Sequence, residues 1–223
     1  MKRADTAALK AAMLVAADAI IAAEPELTRI DKVIGDGDHG IGMKTGFTAI
    51  RRQLEKTDYS TPYDLFHACG LCLVKSMGGS SGVLFGTLLI GGLEAIRNKE
   101  ILDGGDMCSF LSGGIDAVVR RGKAKAGYKT MVDALLPAKE DMQKALKETN
   151  DIDRILSAGE AGALRGVEET KAMLPRLGRS KGFRESALGW PDPGAVSVSV
   201  LLGGLKKGHS EKILGGKKNN GTG

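Results

Sequence analysis

Apolar positions recur along this chain at helical spacing. Leu9, Met13, Ala16 and Ile20 fall at i, i+4, i+7 and i+11. That is one face of a helix with about 3.6 residues per turn. Met43, Phe47, Ile50 and Leu54 repeat the stripe, and Leu65, Cys69, Cys72 and Ser76 follow it more weakly. Leu84, Leu88, Gly91 and Ala95 form the next, and Met131, Leu135, Ala138, Met142 and Leu146 another. Pro137 falls inside that last stripe, where its missing N–H predicts a kink or break. Residues 108–121 and 151–173 read as helical by composition. Asp192 followed by Pro193 is a helix start, an N-cap with proline at the first helical position. Val196 to Val200 alternates like a strand, but the start signal and the helical company favour helix. The pattern predicts about eight helices and an all-α chain, an up-and-down bundle with functional loops at one end. Residues 1–214 are expected to form a single domain. The Gly/Lys/Asn-rich tail from 215 to 223 is expected to be disordered.

Composition narrows the class. The chain has 223 residues, 42% hydrophobic and 26% charged, enough to bury one sizeable core. Aromatic content is 4%, so that core must be aliphatic. The net charge is +5, yet Lys and Arg are dispersed in short clusters without interleaved aromatics, which argues against nucleic acid as a partner. A basic surface attracting phosphorylated ligands or an acidic partner is sufficient. No run is read as approaching the roughly 18 apolar residues of a membrane span. The charged N-terminal residues are not those of a signal peptide. Three cysteines make an incomplete disulfide set and point to a reducing compartment. Cys69 and Cys72 would share a helix face as small buried residues. The expectation is a soluble cytoplasmic protein.

The chemistry concentrates in Asp31 to Gly40. Asp31, Asp36 and Asp38 stand in one short segment, the last two interleaved with Gly35 and Gly37. Carboxylates this close repel unless a cation lies between them, and glycine allows the turn that converges them. Oxygen ligands without thiolates or paired imidazoles suit magnesium before zinc. Gly35, Gly37 and Gly40 also spell G-x-G-x-x-G, but Asp36 and Asp38 would repel a pyrophosphate resting on bare backbone amides. An EF-hand fails on spacing, because Gly40, Ile41 and Phe47 occupy its fifth, sixth and twelfth positions. A solvated acidic turn capping the next helix is the plain alternative.

Four further segments can join this loop. Gly78-Gly-Ser-Ser-Gly82 precedes an apolar helical stripe and reads as a helix cap or as an anion cradle. Gly122 to Val132 is a solvated basic loop with Thr130 as helix cap, or a nucleotide-contacting loop with Met131 against a base. Gly178-Arg179-Ser180 offers a guanidinium suited to phosphate. Asp192-Pro-Gly-Ala195 adds a helix start that could face the same ligand.

In order and spacing these segments resemble the nucleotide-binding L subunit, or C-terminal domain, of the dihydroxyacetone kinases. Ile34-Gly-Asp-Gly-Asp-His-Gly40 is the signature. It is reinforced by Gly78–Gly82, Lys129–Pro137, Gly178-Arg179 and Asp192–Ser197, which together span most of the chain. The resemblance implies a closed barrel of eight antiparallel amphipathic helices, with the nucleotide site in the loops at one end. It implies Asp31, Asp36 and Asp38 as ligands of two Mg2+ ions that bridge to the phosphates of ADP or ATP. His39, Gly40, Ile41, Gly42, Ser80, Ser81, Gly122, Met131, Arg179, Asp192, Pro193 and Gly194 would line the nucleotide.

The implied partner is a separate ketose-binding K subunit, which holds the ketose as a hemiaminal on its own histidine. A phosphotransferase-system M subunit that recharges bound ADP is a further expected partner, free ATP being the other donor. A homodimer is left open. Gly42, Tyr128, Lys181–Phe183 and Trp190-Pro191 depart from the family pattern. They leave the ketose open between dihydroxyacetone and a four-carbon ketose such as erythrulose. No catalytic base is assigned; His39 is the candidate within the chain, and the base is expected from the partner. The leading function is the phosphoryl-transfer half of a ketose kinase. The competing one is a regulatory module that holds ADP and magnesium and controls a partner without turnover.

Overall fold

The computed structural model describes residues 2–177 and 179–218, apart from the side chains of 179, 180, 183, 184 and 212–218. It is all-α, with eight α-helices among the described residues. They are α1 (Thr6–Ile34), α2 (His39–Lys56), α3 (Pro62–Ser76), α4 (Gly79–Ile90), α5 (Gly104–Gly122), α6 (Val132–Leu146), α7 (Ile152–Thr170) and α8 (Pro193–Lys218). Short 3-10 helices cover Leu93–Ile96 and Arg179–Ala187. Two strands of two residues each, β1 (Ala4–Asp5) and β2 (Ile101–Leu102), pair antiparallel with Ala4 opposite Leu102. The helical periodicity gives no sign of them.

The helix starts are chemically marked. Asp5, Thr61, Asp151 and Asp192 each accept a backbone N–H from the first turn of the helix they precede, and Asp103 forms a full capping box with Asp106. Each cap satisfies a donor that the helix itself cannot. The start expected at Asp192-Pro193 is therefore present, and the alternating Val196–Val200 segment is helical.

Each helix packs on its successor, and α8 returns to pack on α1. The contacts thus close a ring around a core of Leu, Ile, Val, Ala, Met and four Phe rings, Phe47, Phe66, Phe85 and Phe110. Small residues make the ring tight. At Gly204 of α8 an added Cβ would lie 2.5 Å from Ala16 Cα of α1. At Gly166 of α7 it would lie 2.1 Å from the Asp133 carbonyl oxygen of α6.

Four expectations need correction. The break at Pro137 does not occur, and α6 runs through it. Proline leaves the carbonyl of Asp133 without its helical donor, and α7 packs against that stretch through Gly162 and Gly166, so tertiary packing holds the helix together. The stripe through Gly91 and Ala95 also ends early: α4 stops at Ile90, and Leu93 and Ile96 take the buried positions on the 3-10 turn. Thr6–Ile34 and Gly79–Ile96 are, by length and composition, apolar enough to cross a membrane, contrary to the sequence reading. Here they supply core residues, from Leu9 to Ile34 and from Phe85 to Ile96. Finally, α8 extends through Lys218, into the segment expected to be an unstructured tail; residues 219–223 lie outside the described residues.

Candidate functional site: an acidic cluster at the mouth of a large cavity

Asp31 sits in the last turn of α1 and is buried. The chain leaves α1 at Gly35 and enters α2 at His39, so Asp36 and Asp38 lie on a connection of four residues. One carboxylate oxygen from each of Asp31, Asp36 and Asp38 lies within 4.8 Å of the others. Two glycines make this possible. A Cβ at Gly35 would lie 2.2 Å from Asp31 Oδ1, and Gly37 has φ +79°, the left-handed region that favours glycine. The backbone N–H of His39 donates to Asp31 Oδ2 at 3.0 Å. Asp38 occupies the N-cap position of α2, but its carboxylate makes no capping bond to that helix. The first N–H of α2 is thus met by Asp31 and not by Asp38. Three convergent hard oxygen donors fit a magnesium-type cation.

The cluster opens onto a cavity of about 820 Å3, a size suited to a small-molecule ligand. The N-terminus of α4 borders the same cavity. Its cap is Gly78, with no side-chain acceptor, and Gly79 has φ +68°. The first-turn N–H groups are thus left without an intrahelical acceptor, and the Ser80 and Ser81 hydroxyls line the same wall. This is an anion-binding arrangement.

His39 links that wall to α8. Its Nδ1 lies 3.3 Å from Ser81 Oγ and its Nε2 lies 2.8 Å from Ser197 Oγ. Ser197 Oγ donates its proton to the Pro193 carbonyl at 3.0 Å, so Ser197 accepts from Nε2–H. The neutral tautomer protonated at Nε2 then leaves Nδ1 to accept from Ser81. Burial lowers the His39 pKa, with Asp31 and the Pro193 carbonyl opposing the shift. Both ring nitrogens are engaged in holding neighbours.

The apolar part of the lining comes from Val83, Leu84 and Phe85 of α4, Val118 of α5, Met131 and Leu177. The loop from α5 to α6 folds over it through left-handed residues at Lys123, Gly127 and Lys129. The Asp133 carboxylate fastens this loop by accepting from the N–H groups of Gly127 and Thr130. Asp192, Pro193 and Gly194 complete the wall. The Asp192 carboxyl is pushed up to about 7, first by burial and then by the carboxylates of Asp133 and Asp31, with the Ala195 N–H and Lys129 opposing.

Eleven of the residues expected at the site therefore share one cavity: Asp31, Asp36, Asp38, His39, Ser80, Ser81, Gly122, Met131, Asp192, Pro193 and Gly194. Gly40, Ile41 and Gly42 do not line it. Gly40 is packed against α1, where a Cβ would lie 2.3 Å from Thr28 Oγ1. Ile41 is 56% exposed, and the position of a Cβ on Gly42 is open space. All three sit on the first turn of α2, whose register turns only His39 inward. The Arg179 side chain lies outside the described residues. Sequence reasoning missed Arg121, Lys129 and Thr130 as lining residues. The Gly-rich run around Lys129 pointed to the loop, but nothing in it distinguishes a buried lysine from a solvated one.

Residues 33–207 match the model of the DAK2 domain family. The chain is 33% identical over 176 residues to the PEP-dependent dihydroxyacetone kinase ADP-binding subunit DhaL of Escherichia coli, covering 79% of this chain and 84% of that protein. It is 35% identical over 188 residues to the corresponding subunit of kinase 2 of Listeria innocua, covering 81% and 86%. A D-erythrulose kinase of Mycolicibacterium smegmatis is 32% identical over 186 residues, of which this chain spans only 32%. The fold resembles the crystal structure of the C. freundii dihydroxyacetone kinase in complex with AMP-PNP and Mg2+, with TM-score 0.73 and 24% identity over 93% of this chain and 35% of that one. The acidic connection after α1, the cavity it borders and the matched family model together place this chain in the DAK2 family of dihydroxyacetone kinase L-type subunits and domains.

Proposed function

We propose that this chain is the nucleotide-binding, phosphoryl-transfer subunit of a dihydroxyacetone or related ketose kinase. The single observation that carries the reading is that the Asp31–Asp36–Asp38 cluster and the α4 N-terminus line one cavity. Carboxylates and anion-seeking amides at one cavity suit a polyphosphate only with a cation between. Asp31, Asp36 and Asp38 would hold two Mg2+ ions, which when bound neutralise the charge on the phosphates of ADP or ATP. The amides of the first turn of α4, with Ser80 and Ser81, bind the phosphate oxygens. Val83, Leu84, Phe85 and Met131 exclude water around the base, and Arg179 reaches the phosphates from the segment before α8. The ring of helix contacts supports the closed barrel as the scaffold for this site.

The ketose is held elsewhere, on a K subunit docking over the cavity mouth, and the proton acceptor comes from that partner. Both nitrogens of His39 are engaged by serines, which supports this division of labour. The ADP-binding, PEP-dependent relatives favour a bound ADP recharged by a phosphotransferase M subunit, and a cytoplasmic location. The erythrulose kinases among the relatives keep a four-carbon ketose open.

The engagement of both His39 nitrogens also favours a second reading, in which the chain holds ADP and controls a partner without turnover. One experiment separates the two. The purified chain should bind Mg-ADP or Mg-ATP by calorimetry and phosphorylate no free ketose alone. Adding a ketose-binding subunit should start turnover. Failure to bind nucleotide in the presence of magnesium overturns both readings. Binding without turnover, even with the partner present, leaves the regulatory one.

A further inference from the structure

Lys129 is 0% exposed, unusual for a residue that almost never buries its charge without partners. Its Nζ donates to the carbonyl oxygens of Thr170 and Trp190, each at 2.6 Å. Thr170 is the last residue of α7, where the carbonyls carry the negative end of the helix dipole. Trp190 lies two residues before Asp192, the N-cap of α8. The backbone of Lys129 is left-handed at φ +57°, a conformation that a residue with a Cβ adopts only when its surroundings impose it.

Two more bonds reinforce the same junction. The Asp192 N–H donates to Thr170 Oγ1 at 3.0 Å, and the Asp192 carboxylate accepts from Ala195 N–H at 2.8 Å. The Trp190 ring is also held from outside, with the Arg29 guanidinium 5.0 Å from its centroid. Three segments far apart in sequence therefore meet at one ammonium. Two residues on from Lys129, the cavity-lining Met131 meets the Pro193–Gly194 turn. They approach so closely that a Cβ on Gly194 would lie 3.3 Å from Met131 Cβ.

We propose that Lys129 is a positioning residue of the nucleotide site. It ties the end of α7 to the segment entering α8 and so holds the Pro193–Gly194 turn against Met131 in the cavity wall. The assignment rests on the nucleotide reading above for its functional consequence, but the brace itself is a property of the chain without ligand. A Lys129→Met variant keeps the bulk and removes both bonds, so that the Trp190 carbonyl loses this donor while the Thr170 carbonyl keeps the Met173 N–H. Lys129→Gln keeps a neutral donor that can satisfy one of them.

The test compares wild type, Lys129→Met and Lys129→Gln in three measurements: Mg-ADP titration, Mn2+ titration without nucleotide, and amide exchange without ligand. In Lys129→Met, Mg-ADP should bind at least tenfold more weakly, while Mn2+ alone binds within twofold of wild type. Exchange at residues 190–196 should accelerate at least tenfold, with α2 unchanged. Lys129→Gln should fall between. Mg-ADP affinity within twofold of wild type in Lys129→Met, or unchanged exchange at 190–196, overturns the proposal. If Lys129→Met does not fold, Lys129→Gln decides by the same measurements. If neither folds, Lys129 belongs to the fold as a whole and the proposal falls. If wild type itself binds no Mg-ADP, the nucleotide reading fails, and the exchange comparison still decides the brace.

Discussion

Gly35 faces the Asp31 carboxylate so closely that a Cβ on the glycine would lie 2.2 Å from Asp31 Oδ1. The glycine therefore shapes the acidic cluster although it adds no carboxylate. Gly35→Ala must rotate the carboxylate away from Asp36 and Asp38 or shift the backbone between α1 and α2. Divalent-cation affinity, measured by Mn2+ titration, should fall at least tenfold, about 1.4 kcal/mol. Gly42→Ala, where a Cβ meets nothing within 4 Å, should leave it unchanged.

The buried Asp192 carboxyl makes stability depend on pH. Unfolded, it titrates near its ordinary value of about 4; folded, it is pushed up to about 7. Between those values the folded state holds a proton that the unfolded state has released. This contribution therefore falls as pH rises through the window and is flat above it. Asp192→Asn keeps an acceptor for the Ala195 N–H and removes the titration. In urea melts from pH 5 to 7, wild type should lose on the order of 1 kcal/mol more per pH unit than Asp192→Asn. Equal slopes would show that Asp192 ionises normally.

Arg179 lies at the start of the 3-10 segment Arg179–Ala187. Arg179→Ala should weaken Mg-ADP binding while changing metal-free stability by less than about 0.5 kcal/mol, as expected from its sequence setting between glycine and serine. Arg179→Lys should restore only part of the affinity, since an ammonium keeps the charge but loses the bidentate fork. Titration of nucleotide into the three proteins at fixed magnesium checks this. Unchanged affinity in Arg179→Ala would remove Arg179 from the site.

Gly166 tests the α6–α7 contact. Alanine normally stabilises a helix interior over glycine by about 1 kcal/mol. Here the added methyl would lie 2.1 Å from the Asp133 carbonyl and 2.8 Å from Ala134 Cα, both backbone atoms that move only with α6. The close approach should reverse the sign, so that Gly166→Ala loses about 2–3 kcal/mol in thermal or urea melts. A stabilised variant would show that α6 and α7 can separate at little cost.

Much of the architecture is legible in the sequence because local chemistry writes it there. Stripes such as Met43–Phe47–Ile50–Leu54 are buried as their spacing predicts. Asp192-Pro193 starts its helix because a cap and a proline act within one turn. The acidic cluster is legible for a similar reason: glycines and carboxylates within a few residues of each other leave few ways to fold the connection. Tertiary structure alone decided the rest. Pro137 reads as a kink or break, yet α6 runs through it, with α7 packed on the Asp133 and Pro137 carbonyls through Gly166 and Gly162. Gly40, Ile41 and Gly42 share a motif with His39, but helical rotation turns His39 inward and Ile41 out. Lys129 reads as part of a basic loop, either solvated or in contact with a nucleotide. It is buried because the carbonyls of Thr170 and Trp190, 41 and 61 residues further along the chain, converge on its ammonium. A short-range signal fixes caps, stripes and turns; which distant backbone groups meet a given side chain is set only when the helices close on one another.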